Sequence, residues 1–239
     1  HYHRDHVNGL NFVRDEFGAD IWLHPLIEKI AAKPFDWRRP WLPRKIEKPY
    51  NVLPRTGTVQ WNEYAISVFP LPGQTRYHCG FLTTVDGKRS LFSGDNFHPP
   101  SLWGGSGGFC AYNEGYPSMY GRSAQKVIDS RPDILCAGHS SFYAYNRGHM
   151  QAVKDWSHRA RKTLSSLCPH DAWMADYDCH AFDVRPRILR TEPGSPVETI
   201  VRIRNHFREP ATITLAAVVP DGWQTSPTSR EMKPAPHAT

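Results

Sequence analysis

The chain has 239 residues, 39% of them hydrophobic and 22% charged, with a formal charge of +6 and a pI of about 9.1. This is enough chain for one sizeable core, or one core plus a small appendage. No apolar run approaches the ~18 residues a membrane-spanning helix needs. The densest basic groups, Arg38-Arg39 with Arg44-Lys45 and Arg159 to Lys162, are short and scattered, so they read as solvated surface rather than a nucleic-acid groove. These features lead to the expectation of no nucleic-acid partner and no membrane span; oligomeric state is open. The five cysteines form no Cys-x-x-Cys pair, which argues against a structural zinc knuckle. Cys79 and Cys136 read as buried thiols, and Cys168 and Cys179 as a pair able to bridge, with Cys110 left over.

In chain order, Val7, Leu10, Val13 and Phe17 follow helical spacing up to a stop at Gly18, and Ala19 to Leu23 reads as a short buried strand. Pro25 to Ala32 predicts a helix with proline in its first turn. Residues 33 to 58, rich in Pro, Trp and Arg, read as a long surface loop. Trp61 to Phe69 alternates as a strand, and Cys79 to Val85 and Arg89 to Ser93 flank Asp86-Gly87 as a hairpin. Residues 96 to 120 read as a glycine-rich loop able to cover a site. A helix from Ala124 to Ser130, capped by Ser123, a strand from Asp133 to Ala137 and an amphipathic helix from Arg147 to Leu167 follow.

Beyond residue 180 the helical period disappears. Turn chemistry at Glu192 to Pro196, alternation over Val197 to Asn205, and a strand-like run from Ala211 to Val219 describe a small all-β unit. It falls short of the ~7 strands of a full sandwich.

Chemistry concentrates at the start. Three of the 13 histidines lie within the first six residues, as His1, His3 and His6, with Asp5 between them. Imidazole and carboxylate are donors that zinc, iron and manganese all accept. Three further donors stand at strand ends, where α/β proteins build their sites: His78 before a strand, Asp95 after Leu-Phe-Ser-Gly, and His139 after Ile-Leu-Cys-Ala-Gly.

The series His-x-His-x-Asp-His, Pro-Gly-x-Thr…His, Ser-Gly-Asp and Gly-His, in this order over residues 1 to about 167, resembles the motifs of the metallo-β-lactamase superfamily. That resemblance implies an α/β fold, a four-layer αββα sandwich whose first strands precede this motif, so the chain reads as N-terminally truncated and poorly folding without them. It implies a hydrolase domain over 1–180. Separately, Pro-Gly-Ser-Pro-Val-Glu-Thr…Arg-Asn-His-Phe…Pro-Asp-Gly-Trp over 181–239 looks like a partial immunoglobulin-like β module, a type of appendage that points toward export to the periplasm or beyond. The metallo-β-lactamase resemblance implies two divalent metal ions, Zn2+ first, with Fe or Mn as alternatives. His1, His3 and His78 would hold one, Asp5, His6 and His139 the other, and Asp95 would bridge them. Asp5 and Asp95 are then the carboxylates of catalysis, and a metal-bridging hydroxide would attack an ester, thioester, lactone or phosphoester.

Departures narrow the choice. The bridging position holds Asp95 and not cysteine, which argues against antibiotic hydrolysis. The first cluster lacks the Glu of flavodiiron-type members, and the stretch between Asp95 and His139 is too short for the insert of RNA-cleaving members. The remaining likeness is to glyoxalase II, lactonases and related hydrolases. Two rivals stay open: a di-iron oxidoreductase of the same fold, and a binding or scaffold protein with a structural metal site. Arg4, Asn8 and Tyr143 are as well read as packing or solvated residues as substrate contacts. Trp103, Tyr112 and Tyr143 are candidate pocket walls. His24 reads as structural, and His98, His149, His158, His170, His180 and His206 as surface.

Overall fold

A computed structural model describes residues 1–108, 113–167, 181–207, 209–236 and 238. The first segment is broken where one helix is predicted: α1 (Arg4–Val7) and α2 (Leu10–Phe17) are separated at Asn8-Gly9. The Asn8 carboxamide oxygen accepts the Arg44 N–H, so it serves the following loop and not a helix. Gly18 ends α2 in the left-handed conformation (φ 64°), as its position predicts. Strand β1 (Trp22–Leu23) pairs in parallel with β2 (Asn51–Val52), which lies inside the predicted loop. Between them α3 (Pro25–Ala32) starts on His24, whose imidazole accepts the Leu26 N–H, a structural role as read. Tyr2, Val7, Leu23, Ile27, Ile30 and Ile46 pack into one apolar cluster that joins the histidine-rich start to α3.

The main sheet has six strands in the order β3 (Gly57–Trp61), β4 (Tyr64–Pro70), β5 (Cys79–Val85), β6 (Lys88–Gly94), β7 (Ile134–Ala137) and β8 (Tyr143–Ala144). All neighbours are antiparallel except β6 and β7. A parallel pair needs a crossover, supplied by α4 (Pro117–Ser130). That helix starts seven residues earlier than predicted, because Pro117 takes the first helical position. Ser123 is no cap; it is buried within α4 and its hydroxyl donates to the Pro72 carbonyl at 2.5 Å. Helix α5 (Arg147–Leu167) packs on α4 where Gly121 leaves no room for a side chain: a Cβ there would sit 2.5 Å from Ser157 Oγ. Leu71, Leu91, Tyr120, Val127, Leu135 and Met150 form the second apolar cluster beneath. The α/β class is thus as expected. Residues up to 144 contribute one large mixed sheet and the two-residue parallel pair β1–β2.

The C-terminal part contributes two separate antiparallel ladders, β9 (Phe182–Arg185) with β10 (Ile200–Ile203), and β11 (Ile213–Ala216) with β12 (Ser229–Met232). Only β10 and β11 are foreshadowed by alternation; β9 and β12 are short and polar. The Arg185 guanidinium lies 4.5 Å over the Trp37 ring, tying β9 to the turn after α3. Cys79 is buried and Cys136 half-buried, both free; Cys110, Cys168, Cys179, His170, His180 and Tyr112 lie outside the described residues. Among the described residues no helix is long and apolar enough to cross a membrane.

Candidate metal centre

Topology explains why distant donors meet. Because β6 and β7 are parallel, both end on the same side of the sheet, with Gly94 opposite Ala137. Gly138 N–H donates to the Gly94 carbonyl at 2.9 Å, so Asp95 and His139 leave adjacent strands together. Strand β5 runs antiparallel to β6, which places its first residue, and His78 just before it, at the same edge. Tyr2 and Val7, anchored in the N-terminal cluster, carry His1, His3, Asp5 and His6 over that edge.

Two groups of donors result, and Asp95 belongs to both: His1, His3 and Asp95; and Asp5, His6, Asp95 and His139. Within each group the donor atoms lie within 4.8 Å of one another. Asp95 Oδ2 is 3.5 Å from His1 Nε2 and 3.3 Å from His139 Nε2. Asp95 Oδ1 is 3.2 Å from His6 Nε2, and Asp5 Oδ2 is 3.1 Å from His139 Nε2. The first group is buried. The second opens outward, with the side chains of Asp5 and His139 49% and 41% exposed. His78 stands beside the first group and not in it. Its ring stacks on His1 at 4.7 Å, while its Nε2 accepts the Asp95 backbone N–H at 3.2 Å. The cause is close packing: Gly94 (φ 52°) has no side chain, and a Cβ there would lie 2.7 Å from His78 Cε1.

Burial sets the charge states. Desolvation depresses the His78 pKa well below the ordinary imidazole value and brings that of His3 down to about 4, so both are neutral donors at pH 7. Burial opposes ionisation of Asp95, but its hydrogen bond from His6, the nearby His6 and His139 rings and a 3.1 Å hydrogen bond from Gln74 Nε2 hold the carboxyl below its usual range. One shared anion therefore stands beside the neutral imidazoles of His3 and His78.

A family model for the metallo-beta-lactamase superfamily matches residues 1–139. The chain belongs to the metallo-beta-lactamase superfamily. Among solved structures it is similar to a metallo-beta-lactamase family protein from Thermus thermophilus, at 18% identity over 70% of this chain, with a TM-score of 0.51. The chain spans 62% of that protein's length. It is also similar to MIM-2 metallo-beta-lactamase, at 17% identity over 70% of this chain and 69% of that one, with a TM-score of 0.50. At such identities the likeness is one of fold. A search of curated proteins found no match.

The donor set fits the cations that this superfamily binds. Both ring nitrogens of His1 are buried without a hydrogen-bond partner among the described residues. Unpaired buried imidazole nitrogens facing a carboxylate are costly unless a cation joins them, and nitrogen with carboxylate oxygen is the donor chemistry of zinc, iron and manganese.

Several residues around the metallo-beta-lactamase motifs escape sequence reading. Asn113 Oδ1 accepts from Tyr2 Oη at 2.6 Å and lies 3.3 Å from His3 Nε2, which leaves His3 Nδ1 as its free donor atom. Asn96 Oδ1 accepts the Gln74 N–H at 2.9 Å and so sets the loop that carries Gln74 to Asp95. Glu114 pairs with the buried Arg39 at 2.5 Å and accepts from Tyr77 Oη at 2.9 Å. These are ordinary polar residues in loops, and only a third dimension reveals them. The neighbouring Pro-Gly and Ser-Gly-Asp signatures were the available hint for Gln74 and Asn96. His98, read as surface, is fully buried, and His206 in the C-terminal part is buried too; His149 is half-buried, with its Nε2 3.2 Å from the His98 carbonyl oxygen. The glycine-rich loop packs tightly around these groups: a Cβ on Gly105 would strike the His149 ring, and one on Gly107 the Asp95 carbonyl. At these two positions it is a fitted wall, while Gly104 and Gly108 face open space. Trp103 lines the cleft over the donors, as read; Tyr143 instead packs against the α4–α5 core.

Proposed function

We propose that this chain is a dinuclear metallohydrolase acting on an ester, thioester, lactone or phosphoester of a small molecule. The observation that carries the reading is the shared carboxylate: Asp95 faces donors of both groups, one buried and one open to a cleft of ≈ 470 Å³. His1, His3 and the adjacent His78 would hold one divalent ion, Asp5, His6 and His139 the other, with Asp95 between them and zinc as the first expectation. Bound there, the ions supply a hydroxide at neutral pH and Lewis-acid stabilisation of the oxyanion. The chain's own residues do the rest. Asp5 keeps an exposed carboxylate at the mouth of the cleft, where it can orient an incoming water through its free oxygen. Gln74 holds one Asp95 oxygen by hydrogen bond, and Asn113 fixes the His3 ring, so the donors are set before substrate arrives.

The division into a hydrolase domain over 1–180 and an immunoglobulin-like module over 181–239 is part of the same proposal, supported by the purely β character of the described residues beyond 181. The test is metal content of the purified protein, followed by an ester, thioester and phosphoester screen. About two equivalents of zinc with cleavage of at least one class is the expected result. Two equivalents of iron, with consumption of oxygen or persulfide and no cleavage, would overturn it.

A further inference from the structure

The two tryptophans that line the cleft share an unexpected backbone state. Trp41 and Trp103 both have φ of 49°. That left-handed region is occupied readily by glycine, and less so by Asn or Asp; for a bulky side chain it is an outlier that the surroundings must hold in place. At residue 103 the contrast is direct, because Gly104 (φ 66°) and Gly105 (φ 83°) continue the same left-handed run. Glycine or asparagine would suit Trp41 and Trp103 better on backbone grounds alone. Neither ring is compensated by burial, since Trp41 is 51% and Trp103 61% exposed. The strain is instead matched by placement. The Trp41 ring stands edge-on to His3 at 5.0 Å, beside the buried donor group, and its carbonyl accepts the Arg4 N–H at 3.0 Å. Trp103 stands edge-on to His139 at 6.2 Å, beside the open group. Each indole thus flanks one half of the centre, and the cleft between them also holds exposed Arg4.

We infer that Trp41 and Trp103 form a two-sided aromatic clamp, selecting substrates with a planar apolar group on each side of the scissile carbonyl and an anionic group for Arg4. This deepens the hydrolase reading and rests on it for the word substrate, but the clamp itself is a binding claim. Half-exposed indoles lose water from their faces when a flat group stacks on them, and an aromatic pair adds to the area term. A cleft of ≈ 470 Å³ accommodates a molecule of two rings and a linking carbonyl.

The probe is N-benzoylphenylalanine, which carries a ring on each side of an amide carbonyl and a carboxylate, with N-acetylglycine as the ring-free comparison. Binding is measured by calorimetry on the full chain, with and without zinc. Trp41→Asn and Trp103→Asn keep a residue tolerant of the left-handed backbone, so melting temperature should hold or rise. Each is expected to weaken N-benzoylphenylalanine roughly tenfold, Trp41→Phe and Trp103→Phe only about twofold, and none should change N-acetylglycine. Asn variants that bind the two-ring probe as the parent does would overturn the clamp, as would equal losses in the Asn and Phe variants. Hydrolysis of S-phenyl thiobenzoate by the zinc-loaded chain is scored separately. Intact clamp binding without turnover of any ester would sink the hydrolase reading and leave the clamp standing. Turnover whose KM is unmoved in both Asn variants would sink the clamp and leave the hydrolase.

Discussion

The two halves of the centre are built to different specifications. His1 and His3 are enclosed, and the His3 ring is held by Asn113, whereas Asp5 and His139 are close to half exposed and pair with each other, His139 also meeting Asp95. A donor held by burial and a fixed hydrogen bond loses little freedom when a cation arrives; an exposed one must be ordered at that moment. The enclosed half is therefore the preformed one, and the open half is where water and substrate can enter. Asp95 couples them, which makes it the position where a single change should do most damage. Asp95→Asn is expected to bring metal content below about one equivalent and to cost activity more than the ~10–100-fold typical of losing an outer partner. Elemental analysis and the ester screen on the same sample check it. If the variant keeps two ions, the carboxylate is not shared as its distances indicate.

The scaffold beneath the enclosed half gives the next effect, on stability. Arg39 is 3% exposed and its charge is met by Glu114, which also accepts from Tyr77. Removing one member of a buried pair leaves the other uncompensated, at about 3–5 kcal/mol. Glu114→Ala should lower the denaturant midpoint accordingly, and because Asn113 is the adjacent residue, it should loosen the enclosed half before the open one. Replacing Arg39 and Glu114 together by Met and Leu should recover much of the loss.

Asn113→Ala acts more locally. It frees the His3 ring and removes the oxygen that accepts from Tyr2 Oη, so affinity at the enclosed half should fall about 10–100-fold, measured by competition with a chromophoric chelator. Among the described residues the open half has no such support to lose; a uniform fall at both halves would erase the distinction drawn between them.

The contrast between halves also marks what a sequence can reveal. Six of the seven candidate donors singled out in the sequence come together in the fold, His78 standing beside them, and topology explains the meeting: Asp95 and His139 leave adjacent strands once β6 and β7 are known to be parallel. The α/β class, the β5–β6 hairpin, α3 and α5 were legible from period and turn residues. The supports were not. Asn113, Gln74 and Arg39 carry no periodic signal, and their partners lie far away in the chain. The break between α1 and α2, the strand β2 inside the long loop, the turn that divides the expected Trp61–Phe69 strand into the end of β3 and β4, and the early start of α4 were set by tertiary contacts or by one proline, which override local pattern. His98 and His206 show the same limit: a histidine in a loop has no signature that tells buried from exposed.

The smallest effect is expected away from both halves, at His24, and its pH dependence has a definite sign. His24 Nδ1 accepts the Leu26 N–H at 3.1 Å and its Nε2 meets the Arg55 carbonyl at 3.1 Å. Burial lowers its pKa below the ordinary imidazole value, outweighing the contact with the Arg55 carbonyl, which acts the other way. A histidine whose folded pKa lies below its unfolded value binds fewer protons when folded. Its contribution is therefore complete above the unfolded value of ~6.5 and is lost as pH falls from there through the folded one, when the protonated ring can no longer accept the cap hydrogen bond. His24→Ala should cost about 1 kcal/mol at pH 7 and flatten the stability curve below pH ~6.5, with metal content unchanged. Thermal melts of parent and variant across that range, run on the metal-free protein, separate this capping contribution from the donors. A variant that lost metal as well would show that α3 braces the enclosed half through Tyr2 and Ile27, and the two halves would then differ in their foundations as well as in their exposure.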